Sequence, residues 1–289
     1  MKFHPRAWID GLLTYPRFIG TIKPALMKAA ASELEPRLAM HGQGWWAKRI
    51  DAPAAARILA LSPHPDDESI GCGGFLLAHG GKAAITIVCV YNGDGGGALA
   101  EGAWRDDPGY RCRLVEERAR ELDRAAALLQ AREVVRFGVS DCDGAPGPRE
   151  IEALQQVLLR TTPEMVLLPW LLDNHDHHRK TNALLADAVQ GLYRAGKLGW
   201  DMTVLGYEVW GLATPNAYFD ITALQARKRE LIEQYASQLR TVDYIAYSEG
   251  LARTRAFHMP VRDDRSGMVE AFVALPCRDY CDLVRKAQS

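Results

Sequence analysis

The sequence has no Cys-x-x-Cys pair, no excess of charge of either sign and no apolar run of membrane length. Each absence removes a class of function. Its six cysteines, Cys72, Cys89, Cys112, Cys142, Cys277 and Cys281, stand singly in apolar or mixed segments, which excludes a zinc knuckle and a disulfide scaffold. Reduced thiols in a cytoplasm are the expectation. The 35 Lys and Arg residues balance 36 Asp and Glu, leaving a net charge of −1. A surface so balanced lacks the basic footprint that holds nucleic acid, so a small-molecule or neutral glycan partner is expected. Asp10, Arg17 and Lys23 interrupt every early apolar run, so neither an export signal nor a transmembrane segment is expected. Internal repeats and low-complexity tracts are missing as well.

What is present is a chain of 289 residues, 48% hydrophobic and 25% charged, long enough to bury one large core. Residues 1–50 have helical spacing broken by prolines and read as an N-terminal helical extension; residues 51–289 read as the main domain. The extension suits packing against the domain or a second subunit, which leaves a homo-oligomer open. Peripheral membrane contact through Trp8, Leu12, Leu13 and Phe18 is the other reading. From Arg57 onward, short apolar runs ("RILALS", "ITIVCV", "EVVRFGV", "EMVLLPW") alternate with longer helix-period stretches. Runs such as "ITIVCV" are apolar on both faces, as strands are when helices cover both sides of a parallel sheet. The predicted fold is therefore α/β: a Rossmann-like, doubly wound, mainly parallel sheet with helices on both faces. Further strands are predicted at "TVLGYEVW" and "MVEAFVAL", and helices at Leu224–Gln238 and Tyr244–Thr254.

Two polar clusters sit where the predicted strands end. The first, Pro63-His64-Pro65-Asp66-Asp67-Glu68, follows "RILALS" directly. Its prolines stiffen the turn, and His64 and Asp67, three apart, can converge on one point. Taken alone, the acids could equally complement a helix dipole, with His64 incidental. The second cluster, after "EMVLLPW", puts Asp173, His175, Asp176, His177 and His178 within six positions. Such a polar run cannot be core. Two imidazole–carboxylate clusters at separate strand ends suit a catalytic metal site, Zn²⁺ foremost, with Fe²⁺ or Mn²⁺ also compatible. The glycine-rich stretch Gly93–Gly97 raises a dinucleotide site as an alternative. That reading is weak, because fingerprint glycines should follow the first strand, and Gly71, Gly73 and Gly74 are better explained by close helix packing.

"HPDDESIGCGG" together with "DNHDHHRKT" resembles the PIG-L/LmbE-like family of zinc-dependent N-acetylglucosamine deacetylases. The likeness extends to "VYNGDGG", "RARELDRAAALL", "FGVSD" and "YASQL", and spans about Arg57 to Leu239. The resemblance implies His64, Asp67 and His178 as metal ligands, Asp66 as general base and His175 as general acid. It also implies substrate contacts at Arg118 and Asp141, and a substrate that is an N-acetylated sugar or glycoconjugate. The family reads His-x-Asp-His where this chain reads His175-Asp176-His177-His178, so His177 replaces the aspartate expected to orient the acid histidine. Asp173 or Asp176 is the expected substitute. The alternative is a non-catalytic, degenerate glycan-binding member of the same fold. Trp104 and Trp170 are candidates for stacking on a sugar face.

Overall fold

A computed structural model of the chain describes residues 47–100, 108–142, 144–259, 261 and 267–288. The expected helical extension lies outside them up to residue 46, and so does Trp104. The described residues form a sheet of β1 (Lys48–Arg49), β2 (Arg57–Ser62), β3 (Ala84–Tyr91), β4 (Glu133–Val139), β5 (Met165–Pro169), β6 (Thr203–Tyr207), β7 (Ala217–Asp220) and β8 (Val269–Pro276). Their order is β1-β7-β8-β6-β5-β2-β3-β4. Pairing is parallel except where β8 runs antiparallel between β6 and β7. The helices are α1 (Asp67–His79), α2 (Pro108–Leu128), α3 (Pro148–Thr161), α4 (Asp176–Arg194), α5 (Gln225–Glu233), α6 (Ala236–Leu239), α7 (Tyr244–Phe257) and α8 (Cys277–Gln288).

The doubly wound expectation holds, and the reason is visible in strand alternation. Ile58 and Ala60 of β2, with Ile85 and Ile87 of β3, face a core shared with α1, α2, α5 and α7. Leu59 and Leu61, with Val88 and Val90, face a second core under α3, α4 and α8. Both faces of each central strand are apolar because both are covered. The single helix predicted at Leu224–Gln238 is instead a 3₁₀ turn at Thr222–Leu224 followed by α5 and α6. The pairs β1 with β7 and the closing helix α8 carry too short or too polar a pattern to stand out in the sequence.

The glycines of α1 serve packing, as expected. A Cβ on Gly71 would lie 2.2 Å from Cδ2 of Tyr207, and one on Gly74 would lie 2.5 Å from Ile221. This close approach coincides with a break in the helix at Cys72, whose φ of −140° is not helical. The N–H groups of Gly74 and Phe75 donate to the Glu270 carboxylate on β8, each at 2.7 Å. Lys228 of α5 neutralises that carboxylate at 2.7 Å and donates to the Ile70 carbonyl at 2.8 Å.

At the other end of α1, His79 is fully buried and uses both ring nitrogens. Nδ1–H donates to the Phe75 carbonyl at 2.7 Å, and Nε2 accepts the Ala54 N–H at 2.8 Å. The accepting nitrogen requires a neutral ring. Burial pushes the pKa below the ordinary 6.5, outweighing the Phe75 carbonyl, with Lys82 adding to the effect. A depressed native pKa gives stability that is complete above 6.5 and is lost as pH falls below it. We therefore expect urea unfolding at pH 7.5 and 5.0 to show an acid-side loss in the wild type that is smaller in His79→Gln. Equal pH slopes in the two proteins would refute this account.

Candidate functional site

The order β6-β5-β2-β3-β4 reverses direction between β2 and β5, and in such sheets ligands bind in the crevice at the strands' carboxyl ends. Both polar clusters leave the sheet there. Residues 63–66 carry the chain from β2 into α1, and the Tyr91 N–H donates to the Pro63 carbonyl at 2.8 Å, fixing the turn to β3. Asp66 has φ 137°, a conformation that costs a non-glycine residue about 1–3 kcal/mol and is typical of functional sites. Its side chain makes no cap to α1. It faces Arg118 instead, whose Nη2 donates to the Pro65 carbonyl at 2.9 Å and lies 3.4 Å from Asp66 Oδ2. Arg118 Nη1 donates to the Gly93 carbonyl at 3.2 Å. Arg118 is therefore a buried brace of the turn. Burial pushes the Asp66 carboxyl well above the usual carboxylate range, with Arg118 opposing.

The chain from β5 supplies the facing side. His178, in the first turn of α4, is fully buried between two carboxylates: Nε2 lies 3.2 Å from Asp67 Oδ2, and Nδ1 lies 3.2 Å from Asp173 Oδ1. Neither contact has the direction of a hydrogen bond. His64 Nδ1 is 3.1 Å from the same Oδ2 of Asp67. Burial alone would lower the His178 pKa, but the Asp67 and Asp173 carboxylates win and hold it at about 9. Burial would raise both carboxyls. His178 and His64 keep Asp67 well below the usual range, and His178 with nearby backbone N–H groups keeps Asp173 low.

One ligand atom each from His64, Asp67 and His178 lies within 4.8 Å of the others, so the residues expected to bind metal are brought together. His178 Nε2, buried and without a directed hydrogen bond, and His64 Nδ1 both face the one buried carboxylate of Asp67, an N,N,O set that fits a divalent cation and suits zinc or iron.

His175 caps α4. Its Nδ1 accepts the His177 N–H at 3.2 Å, which places the ring proton on Nε2. Burial first, then the neighbouring His64 and His178, lower its pKa to about 4, so the ring is neutral at neutral pH. The expected carboxylate partner is not found among the described residues. Asp173 Oδ1 accepts the His175 backbone N–H at 2.9 Å and lies beside His178 Nδ1 rather than the His175 ring, and exposed Asp176 pairs with Lys180 at 2.6 Å. The ring's orientation comes from the helix backbone.

These groups open onto a cavity of about 340 Å³ lined by His64, Asp66, Asp67, Arg118, Asp141 and His175. Asp141 accepts the Gly93 N–H at 2.9 Å and the Gly95 N–H at 3.3 Å, holding the glycine-rich loop at the rim. Trp210 and Tyr244 form its aromatic wall. Trp210 ends the predicted strand "TVLGYEVW" and was not among the residues expected to stack on a sugar. Trp170 instead packs on Gly206 and edge-on to Tyr280. Sequence reasoning also missed the polar supports behind the cavity. Buried Glu68 accepts from Ser62 Oγ at 2.8 Å, from Ser69 Oγ at 2.6 Å and from the Tyr235 hydroxyl. Buried Glu121 accepts the Ser237 N–H at 2.7 Å and its Oγ–H at 2.6 Å.

Residues 59–189 match the family model PIG-L: GlcNAc-PI de-N-acetylase. No curated protein matches the chain in sequence. Among solved structures, the N,N'-diacetylchitobiose deacetylase from Pyrococcus horikoshii, complexed with its inhibitor, superposes with a TM-score of 0.64 at 22% identity, covering 90% of this chain and 95% of that one. A conserved protein from Thermus thermophilus gives 0.62 at 24% identity, over 76% and 95%. The 4-carboxy-2-hydroxymuconate hydratase from Pseudomonas putida gives 0.63 at 23% identity, over 76% and 96%. The last shows that the fold hosts more than one chemistry, so the residues of the site must decide.

The Glu121–Ser237 tether predicts a measurable link between support and rim, because the Ser237 carbonyl accepts the Ala98 N–H at 2.8 Å. Glu121→Ala should cost about 1–3 kcal/mol by leaving buried donors unpaired, and should speed hydrogen exchange in residues 93–98. Unchanged urea stability would show that the tether is idle.

Proposed function

Because residues 59–189 match the PIG-L (LmbE-like) family model, we propose that the chain is a metal-dependent hydrolase that removes the acetyl group from an N-acetylated amino sugar or its conjugate. The observation that carries this reading is the convergence of His64, Asp67 and His178 beneath a polar cavity flanked by Asp66 and His175. The first three residues would hold the metal ion. When bound, that ion supplies a Lewis acid that polarises the acetyl carbonyl and acidifies water.

The side chains account for the proton movements. Asp66, aimed into the cavity, takes a proton from the attacking water as the water oxygen bonds to the acetyl carbon. The Nε2–H of neutral His175 donates a hydrogen bond to the carbonyl oxygen as that atom gains charge. The carbon–nitrogen bond breaks as the nitrogen accepts the proton held on Asp66, a carboxyl whose raised pKa suits carrying it, so neutral His175 serves as oxyanion donor in place of the general acid that the resemblance implies. Arg118 fixes the turn that aims Asp66, and Trp210 and Tyr244 offer aromatic faces to a sugar ring. Zinc is the ion expected first from the donor set, with Fe²⁺ compatible.

N-acetylated sugar conjugates assayed for released primary amine, with and without chelator, test the proposal directly. Release abolished by chelator and restored by Zn²⁺ is the expected result. Binding without acetate release would favour a glycan-binding protein, and water addition to an unsaturated acid would favour a hydratase. Asp66→Ala should retain metal and lose about 10²- to 10⁴-fold in turnover, the usual loss of a general acid–base group. His178→Ala should lose the metal itself, as read by elemental analysis; unchanged metal content would remove His178 from the ligand set.

A further inference from the structure

His177 stands where the resembling family carries an aspartate, and the structure gives it a partner other than the acid histidine. Its Nδ1 lies 2.9 Å from Nε2 of His64. Its ring stacks on Tyr91, with centroids 4.0 Å apart and planes at 13°. Tyr91 is itself buried at the carboxyl end of β3, so the His177 ring rests on a fixed support. Its backbone N–H, meanwhile, donates to His175.

The other nitrogen of His64 is the one that faces the ligand set. Nδ1 lies 3.1 Å from Asp67 Oδ2, and the His64 backbone N–H donates to that same oxygen at 2.9 Å. A cation held by Nδ1 needs its lone pair, so the ring proton must then sit on Nε2. That Nε2–H points at His177 Nδ1, within hydrogen-bond distance and with an acceptor lone pair when His177 carries its own proton on Nε2. Metal-ligating histidines almost always donate their second N–H to a carboxylate, carbonyl or water, and this contact fixes ring tautomer and orientation. Here an imidazole stands in that place.

We propose that His177 is the positioning residue for His64, accepting its Nε2–H so that Nδ1 is presented bare toward the space shared with Asp67 and His178. This rests on the reading above that those three residues hold a divalent ion. It assigns the departure from the family pattern a purpose: side chain to one histidine, main chain to the other.

Zinc affinity of the full chain, measured by competition with a chromophoric chelator, tests the proposal in wild type, His177→Phe, His177→Leu and His177→Asn. Phe keeps an aromatic face for Tyr91 and lacks the acceptor, Leu lacks both, and Asn places Oδ1 near the position of Nδ1. Phe and Leu should bind zinc about 10- to 100-fold more weakly, and Asn should restore affinity to near wild type. Their metal-free melting temperatures, read in parallel, identify any variant that loses affinity by unfolding. Wild-type affinity in a folded Phe or Leu variant overturns the proposal. So does a stoichiometry of two ions falling to one on loss of His177, which would make it a ligand of a second ion. Wild-type protein that binds no zinc, behaving like His64→Ala, is the separate failure of the metal reading itself.

Discussion

The structure turns on a buried row of three side chains, Asp67, His178 and Asp173, in which one imidazole lies 3.2 Å from a carboxylate on each side. None of the three is tolerable alone, since an unpaired charge removed from water costs several kcal/mol. Together they compensate one another. Because Asp67 begins the helix after β2 while Asp173 and His178 flank the exit of β5, the row stitches shut the crevice where the sheet changes winding direction. Fold and site are thus one electrostatic object: the topology opens the gap, and the gap is closed only by groups able to hold a cation.

Behind this row the same principle recurs at longer reach. Glu68 joins the end of β2 to Tyr235, Glu121 joins α2 to Ser237, and Glu270 receives the N–H groups freed by the break in α1. Each buried carboxylate has its partners, so polar groups become rigid connectors between elements rather than liabilities. The spacing in "RARELDRAAALL" follows from it: three residues apart on α2, Arg118 reaches the turn after β2 and Glu121 reaches the segment after α5.

Much of this was legible in the sequence, and the rest was not for identifiable reasons. Strands apolar on both faces announced a covered sheet, two imidazole–carboxylate clusters at strand ends announced a shared site, and the family resemblance singled out His178 beside His64 and Asp67. Gly71, Gly73 and Gly74 announced helix packing because three glycines fall within about one turn of a helix-period stretch. The partner of His175 was not legible. Asp173 and Asp176 sit at equally plausible spacings, and only ring direction shows that one supports His178 while the other faces Lys180. The aromatic wall escaped because Trp170 and Trp210 both end apolar strands, and the register of β5 against β6 decides which one meets the cavity. The strand at β8 was expected, but its antiparallel direction escaped because strand direction leaves no mark on composition.

Asp173 has a second oxygen, and it accepts the N–H groups of Trp210 and Gly211 at 2.9 and 3.0 Å. A single carboxylate therefore anchors the wall of the cavity by its main chain while leaving the Trp210 side chain unencumbered. Position 211 has no such liberty, since a Cβ there would come within 2.9 Å of Asp173 Cα. Descendants of this chain can re-dress the wall at residue 210 for a differently shaped guest without disturbing the chemistry beneath, and an invariably bare residue 211 is the condition for that freedom.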